Sequence, residues 1–149
     1  MVEFNTFEDV LDFAILQEKA AQEFYSKLSE EVISDDVKLF YRTLVQEEHL
    51  HEMKLRELKR FGYDLVEPDL ETLKESGYLD AMPVAPDISF VDAVRYAIKK
   101  ERSARMLYNT LGQMCERHEL KELFEELAEQ EGSHANYFKA EYGDLLAKN

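Results

Sequence analysis

Cysteine, glycine and proline are scarce in this chain of 149 residues, and each shortage excludes a class of structure. The only cysteine, Cys115, can form neither an internal disulfide nor a four-cysteine site for zinc or iron. We expect it to be a small buried or half-buried apolar residue. With five glycines, three prolines and 34% charged residues, the composition is typical of long helices with solvated outer faces.

Long hydrophobic runs and an excess of positive charge are also absent. No apolar run approaches the roughly 20 residues that a helix needs to span a bilayer. The N-terminus carries Glu3, Glu8 and Asp9 and lacks the basic segment of a signal peptide. The formal net charge of −14 disfavours binding to nucleic acid or to an anionic membrane. We therefore expect a soluble, cytoplasmic protein whose residues 1–149 form a single domain.

Apolar residues at helical spacing predict four long helices, and hence an all-α fold. Ser34 or Asp35 is a suitable N-cap for the second helix, and Gly62 a suitable stop after it. Ser89 is a suitable N-cap for the third helix, with Asp92 in the capping-box position. The four helices are predicted from about Thr6 to Val32, from Ser34 or Asp35 to Phe61, from Ser89 to Met114, and from a break near 116–118 onward.

The segment from Gly62 to Ile88 interrupts the helical pattern. It contains all three prolines, Pro68, Pro83 and Pro86, and a short helix could form from Asp69 to Gly77. A segment of this length is too long for a tight turn. The predicted fold is therefore a four-helix bundle with a long crossover between the second and third long helices.

The chain contains an internal repeat with an offset of 83 positions. Aligning residues 7–55 with 90–138 gives twelve identities without a gap, and most of them fall on the predicted inward faces of the helices. We therefore expect two similar helical hairpins related by a pseudo-twofold axis.

The repeat carries side chains of the kind that bind metals. A glutamate in the first helix of each hairpin is followed thirty residues later by a Glu-x-x-His motif, whose two members face the same way on a helix. Four carboxylates that meet in a core repel one another and lose hydration, and two divalent cations relieve both costs. The sequence therefore predicts a carboxylate-bridged dinuclear site within the bundle. The predicted metal ligands are Glu18, Glu48, His51, Glu101, Glu131 and His134.

Each ligand type has an expected role. We expect Glu18 and Glu101 to be terminal ligands and Glu48 and Glu131 to bridge the ions, while each histidine adds one nitrogen. Ligation rich in oxygen, with one imidazole per ion, suits ferrous iron or manganese better than structural zinc. The predicted cofactor is two iron ions, with manganese or a mixed manganese–iron pair as alternatives. Open coordination positions would remain for dioxygen, peroxide or water.

Three nearby residues compete for the role of ligand. Glu47 lies four residues before His51 and could share its face, but its counterpart in the repeat is Gln130. His49 should point away from His51, and His118 falls in the break before the fourth helix. We expect both of these histidines at the surface.

Tyr25 and Tyr108 lie two helical turns beyond the lone glutamates. They are suitable core aromatics. Alternatively, they are catalytic residues whose hydroxyls hydrogen-bond the glutamates of the site or pass an electron.

The motifs resemble those of the rubrerythrin and bacterioferritin branch of the ferritin-like superfamily. The resemblance covers about Phe7 to Tyr142, and it implies a ferritin-like bundle with a di-iron carboxylate centre that reacts with oxygen or peroxide. Ala104 stands where rubrerythrins usually carry a further glutamate, so the six-ligand set is closer to that of bacterioferritin. The segments that carry the resemblance are Gln-Glu-Lys-Ala (17–20), Glu-Glu-His-Leu-His (47–51), Lys-Glu-Arg-Ser-Ala (100–104) and Glu-Gln-Glu-Gly-Ser-His (129–134).

We therefore expect a rubrerythrin-like di-iron oxidoreductase that reduces peroxide or dioxygen. A single cysteine cannot build the four-cysteine iron site of a rubredoxin domain, so electrons should come from an external donor. We also expect a homodimer that has no nucleic-acid or membrane partner. Two alternatives remain: a ferroxidase or iron-handling protein, and a non-catalytic, metal-stabilised bundle that acts as a binding module.

Overall fold

Five helices account for most of the residues that the structure describes, and no strand occurs among those residues. The structure is a computed structural model that describes residues 4–61, 69–80, 84 and 87–148. The predicted all-α fold is confirmed: the four predicted long helices are α1, α2, α4 and α5, and the short helix is α3. The helices are α1 (Phe7–Glu31), α2 (Asp35–Phe61), α3 (Leu70–Ser76), α4 (Phe90–Met114) and α5 (His118–Lys148).

The chain divides into two compact units, Met1–Tyr63 and Asp64–Asn149. In the first unit α1 packs against α2, and in the second unit α4 packs against α5. Each unit therefore contains one of the two hairpins that the repeat predicts. That all 149 residues form a single domain stays a prediction.

Local hydrogen bonds determine where the first helices of the two hairpins begin. The Thr6 hydroxyl accepts from the Asp9 N–H at 3.2 Å, and the Asp9 carboxylate accepts from the Thr6 N–H at 3.0 Å, which completes a capping box. Hydrogen bonds from the backbone N–H groups of Asn5 and Thr6 hold the pKa of Asp9 below its usual value. The predicted Ser89 cap is confirmed, because its hydroxyl accepts from the Asp92 N–H at 3.2 Å.

The second helices of the hairpins begin close to the predicted positions. Helix α2 begins at Asp35, and the Ser34 carbonyl accepts from the Lys38 N–H at 3.0 Å, so Ser34 is the residue at the cap position. Helix α5 begins at His118 and continues to Lys148, so the break before it is one residue earlier than predicted. No helix among the described residues is both long and apolar enough to cross a membrane.

The described part of the predicted crossover contains α3. The Asp69 carboxylate caps this helix by accepting from the Thr72 N–H at 3.1 Å, and Gly77 ends it with a φ of 81°. Glycine suits this left-handed position because it lacks the Cβ that makes the conformation costly for other residues. The predicted helix stop at Gly62 and the prolines Pro68, Pro83 and Pro86 lie outside the described residues.

The predicted inward faces form most of the core of each hairpin. Helical spacing allows either Phe40 or Tyr41 in α2, and either Leu123 or Phe124 in α5, to face inward. The structure buries Tyr41 and Phe124. Helical spacing also predicts that Val37 faces inward, but this residue is half-buried, since it lies in the first turn of α2, at the end of the hairpin. Ala104 is also half-buried, and nothing within the second unit explains this difference from its buried counterpart Ala21.

Candidate metal centre

The first hairpin brings together three of the predicted ligands, Glu18 on α1 and Glu48 and His51 on α2. One ligand atom from each lies within 4.8 Å of the others. The Glu18 Oε1 atom is 3.6 Å from His51 Nδ1, and none of the three residues is more than 3% exposed. Because Glu48 and His51 are separated by three positions, both face α1.

The second hairpin repeats this arrangement with Glu101 on α4 and Glu131 and His134 on α5. One ligand atom from each again lies within 4.8 Å of the others. The Glu101 Oε2 atom is 3.4 Å from His134 Nδ1, and none of the three residues is more than 5% exposed. The predicted residues therefore form two similar triads, one in each hairpin.

Each triad is surrounded by buried apolar side chains of its own hairpin. Along α1, Glu18 lies between the buried alanines Ala14 and Ala21, whose small side chains allow a close approach of the neighbouring helix. Along α2, Leu44 and Leu55 are buried one turn before Glu48 and one turn after His51. These neighbours exclude water, so the carboxylates gain little from hydration.

The spacing within each triad fits a bound divalent cation. Two ligand atoms that each lie about 2.1 Å from one ion, at angles of roughly 90–110°, are about 3.0–3.4 Å apart. The glutamate–histidine distances of 3.6 and 3.4 Å are near this range. Burying carboxylates without a positive charge costs several kcal/mol each, by order of magnitude. Two carboxylates and one imidazole in each triad therefore suit metal binding.

Comparison with known proteins assigns the family. The family model named Rubrerythrin matches residues 92–148. A solved structure of a hypothetical protein from Pyrococcus furiosus is 31% identical, with a TM-score of 0.73, over 95% of this chain and 90% of that chain. The chain belongs to the ferritin-like superfamily that includes the rubrerythrins.

A more distant structure supports the fold of this ferritin-like chain. It is described as a putative ferritin-like diiron-carboxylate protein from Thermotoga maritima. It is 20% identical, with a TM-score of 0.67, over 90% of this chain and 92% of that chain. The predicted ferritin-like helical bundle is thereby confirmed as the fold class. None of the curated proteins matches the sequence.

The competing histidines of this ferritin-like chain lie at the surface, as expected. The side chain of His49 is 56% exposed, and that of His118 is 78% exposed and 2.9 Å from the Glu122 carboxylate. Glu47 is half-buried, whereas its neighbour Glu48 is fully buried. The burial pattern agrees with the choice of Glu48 that the repeat indicated.

Tyr25 and Tyr108 are both buried in the cores of their hairpins. The ring centroid of Tyr25 lies 6.4 Å from that of Tyr41, and the ring of Tyr108 stacks on Phe124 at 6.3 Å. Aromatic packing accounts for their burial. Their proposed action on the glutamates stays a prediction.

Glu52 is a buried acid near the first triad that sequence reasoning missed. Its carboxylate accepts hydrogen bonds from Gln22 Nε2 at 2.8 Å and from Arg56 Nε at 2.7 Å. Burial raises the pKa of Glu52, but these hydrogen bonds and the nearby charges of Arg56 and His49 together outweigh burial and hold the pKa below its usual value. The sequence did contain one signal for this residue: Glu52 lies four residues after Glu48 and four before Arg56, so all three share one face of α2. The repeat concealed it, because the counterpart of Glu52 is an alanine.

Proposed function

We propose that this chain is a di-iron carboxylate oxidoreductase that reduces peroxide or dioxygen. The observation that carries the proposal is the pair of buried triads, each with two carboxylates and one imidazole, on two repeated hairpins. In this proposal the triads are the two halves of one dinuclear centre. Membership of the ferritin-like superfamily and the description of the Thermotoga maritima relative as a diiron-carboxylate protein support it.

The side chains of the two triads have distinct proposed roles. Glu18 and Glu101 would each bind one ion, while Glu48 and Glu131 would bridge the two ions. The neutral imidazoles of the Glu-x-x-His motifs would each supply one nitrogen. Four carboxylates balance the charge of two divalent cations, so the loaded centre would carry little net charge in its apolar surroundings.

When bound as a reduced pair, two iron ions would supply two electrons to peroxide or dioxygen. With two protons, these electrons convert one molecule of peroxide into two molecules of water. The buried leucines and alanines around the triads would keep bulk water away from the site. We propose that the Tyr25 and Tyr108 hydroxyls orient the glutamates or pass electrons. The single cysteine leaves this chain without a four-cysteine iron site, so an external donor would restore the reduced state.

The test of this function is the reaction of the reduced, iron-loaded protein with peroxide. The protein is loaded with ferrous iron without oxygen and mixed with one equivalent of peroxide, and the near-ultraviolet absorption of ferric iron is followed. We expect oxidation within seconds, consumption of the peroxide, and return to the ferrous state only after a reductant is added. Protein that stays ferrous for minutes after mixing with peroxide, and after mixing with oxygen, would contradict the proposed activity and favour a metal-stabilised binding module.

A matched pair of variants on α2 links the reaction to the site. Glu48→Ala removes a proposed bridging carboxylate, so we expect the reaction with peroxide to slow by at least about 100-fold. Glu47→Ala removes the adjacent half-buried carboxylate and should leave the rate near that of the unmodified protein. Equal rates in the two variants would contradict the assignment of Glu48.

Ala104 favours a second candidate, a ferroxidase or iron-handling protein. Rubrerythrins usually carry a further glutamate at this position, and the six-ligand set without it is closer to that of bacterioferritin. Repeated additions of ferrous iron in air separate the two functions. A ferroxidase would oxidise many equivalents of ferrous iron per chain and release or store the product, whereas an oxidoreductase would retain two.

A further inference from the structure

The two hairpins differ one helical turn beyond the proposed ligands. In the first hairpin, Gln22 lies four residues after Glu18, and Glu52 lies four residues after Glu48. The Gln22 amide donates to the Glu52 carboxylate at 2.8 Å and also to the Glu18 backbone carbonyl at 3.2 Å. The bond to Glu52 joins α1 to α2 at the level next to the ligands, and the bond to Glu18 holds the amide against its own helix.

Arg56 binds the second oxygen of the Glu52 carboxylate. Its Nε donates to Glu52 Oε2 at 2.7 Å, while Gln22 donates to Oε1. With both oxygens bonded, Glu52 is a fixed anion rather than a side chain that is free to swing. We call Gln22, Glu52 and Arg56 the clamp.

The second hairpin has no clamp at the equivalent positions. The offset of 83 places Arg105, Ala135 and Lys139 there. Ala135 is buried and has no side-chain acceptor, so it cannot join α4 to α5 through a hydrogen bond. The Arg105 side chain instead lies against Gly132, where an added Cβ would be 3.2 Å from Arg105 Cδ and 3.3 Å from Nε.

These sequence differences between the two hairpins give the two triads surroundings of different rigidity and charge. The clamp holds one carboxylate and one guanidinium, whereas its equivalent holds a guanidinium and an ammonium. The net charge at this level is therefore zero in the first hairpin and +2 in the second hairpin. Nearby positive charges oppose the binding of a cation, although solvent screens the exposed Arg105 and Lys139. Because the clamp already holds α1 and α2 together, their ligands also lose less conformational entropy when they bind an ion.

We infer that the clamp makes the first hairpin's half of the proposed centre the tighter metal site. The first ion binds at Glu18 and His51, and the second ion binds at Glu101 and His134. This inference rests on the proposed function, because it assigns an order to the filling of the same centre. Glu52 is then a positioning residue, which acts through the helices that carry the ligands. We expect the two binding steps to differ by at least about tenfold, the size of effect that one nearby charge produces.

The order of filling is tested by titrating the metal-free chain with manganous ion without oxygen. The free ion is counted by electron paramagnetic resonance, a readout that does not depend on activity. His134→Ala should retain the tight step and lose the weak one, whereas His51→Ala should retain only the weak step. A tight step that survives in His51→Ala and is lost in His134→Ala would overturn the inference.

Variants of the clamp test its cause. Glu52→Ala should weaken the first step by about tenfold and leave the second step unchanged. Glu52→Gln keeps an acceptor for Gln22 but loses the charge, so it should weaken the first step less. In the second hairpin, Arg105→Gln combined with Ala135→Glu should tighten the second step. Glu57→Ala removes a charge from the exposed side of α2 and should change neither step, while circular dichroism checks the helix content of each variant.

The outcomes separate this inference from the proposed function. If the unmodified chain binds no manganous or ferrous ion, both are overturned. A second result would overturn only the inference. In that result the unmodified chain binds two ions, His51→Ala and His134→Ala each retain one binding step of the same strength, and Glu52→Ala changes neither step. A loss of both steps together in Glu52→Ala and in Glu52→Gln would show a general structural role, and would also overturn it.

Discussion

At the residue scale, Cys115 has a protected thiol. Its Sγ donates to the Leu111 carbonyl at 3.2 Å, and the residue is 4% exposed. Burial raises the pKa of the Cys115 thiol above its usual value, so the reactive thiolate is scarce near neutral pH. The structure agrees with the apolar role that the sequence indicated for this residue.

We therefore predict slow alkylation of Cys115 in the folded protein. The rate with iodoacetamide at neutral pH should be at least about tenfold lower than in the same chain unfolded in guanidinium chloride. Mass spectrometry measures the rate, and the single cysteine makes the unfolded chain its own control. Labelling of the native protein as fast as that of the unfolded chain would contradict the buried position.

The sequence predicted the residues of the two triads but not the residues around them. Glu18 and Glu101 were identified because an acid on a buried face is costly and therefore needs a reason. Glu52 was missed because one of its two hydrogen-bond partners, Gln22, is thirty residues away along the chain and is brought to it by tertiary packing. A rule based on repetition also cannot find a residue that the second copy lacks.

At the element scale, the helix boundaries followed from local chemistry. Ser89 and Asp69 cap α4 and α3 with bonds to backbone N–H groups three residues on, and such short-range signals are readable in a sequence. How deeply side chains near the helix ends are buried was less predictable from the sequence. Val37 lies in the first turn of α2, and its half-burial depends on how the end of the hairpin packs.

Two glycines offer a matched test of the helix ends. A Cβ at Gly112, in the last turn of α4, would meet Phe124 Cβ at 3.5 Å and the Lys121 carbonyl at 3.6 Å, which are ordinary contacts. Gly112→Ala should therefore raise the free energy of unfolding by about 0.5 kcal/mol, because alanine restricts the unfolded chain. Gly77→Ala places a side chain at a φ of 81° and should lower it by about 1 kcal/mol.

Urea denaturation followed by circular dichroism measures both changes. The slope of unfolding against urea should stay the same in the two variants, so that the midpoints report stability alone. A shift of the same sign in both would contradict the assigned backbone conformations.

At the scale of the whole molecule, the internal repeat gives the protein two similar triads. Two hairpins of this ferritin-like chain each place two carboxylates and one imidazole in a buried triad, with nearly equal glutamate–histidine distances of 3.6 and 3.4 Å. Helical periodicity and the offset of 83 were enough to predict both triads. In a helical hairpin, the number of residues between two ligands determines whether they lie at the same height on the two helices. How the hairpins combine depends on contacts between distant segments, which no local pattern encodes.

We propose that the two triads together bind two metal ions. The most direct test is a crystal structure of the anaerobically iron-loaded protein, with anomalous diffraction recorded at the iron absorption edge. We predict two iron peaks per chain, about 3.5–4 Å apart, one beside Glu18 and His51 and the other beside Glu101 and His134. A single peak, no peak, or iron bound away from these residues would contradict this proposal.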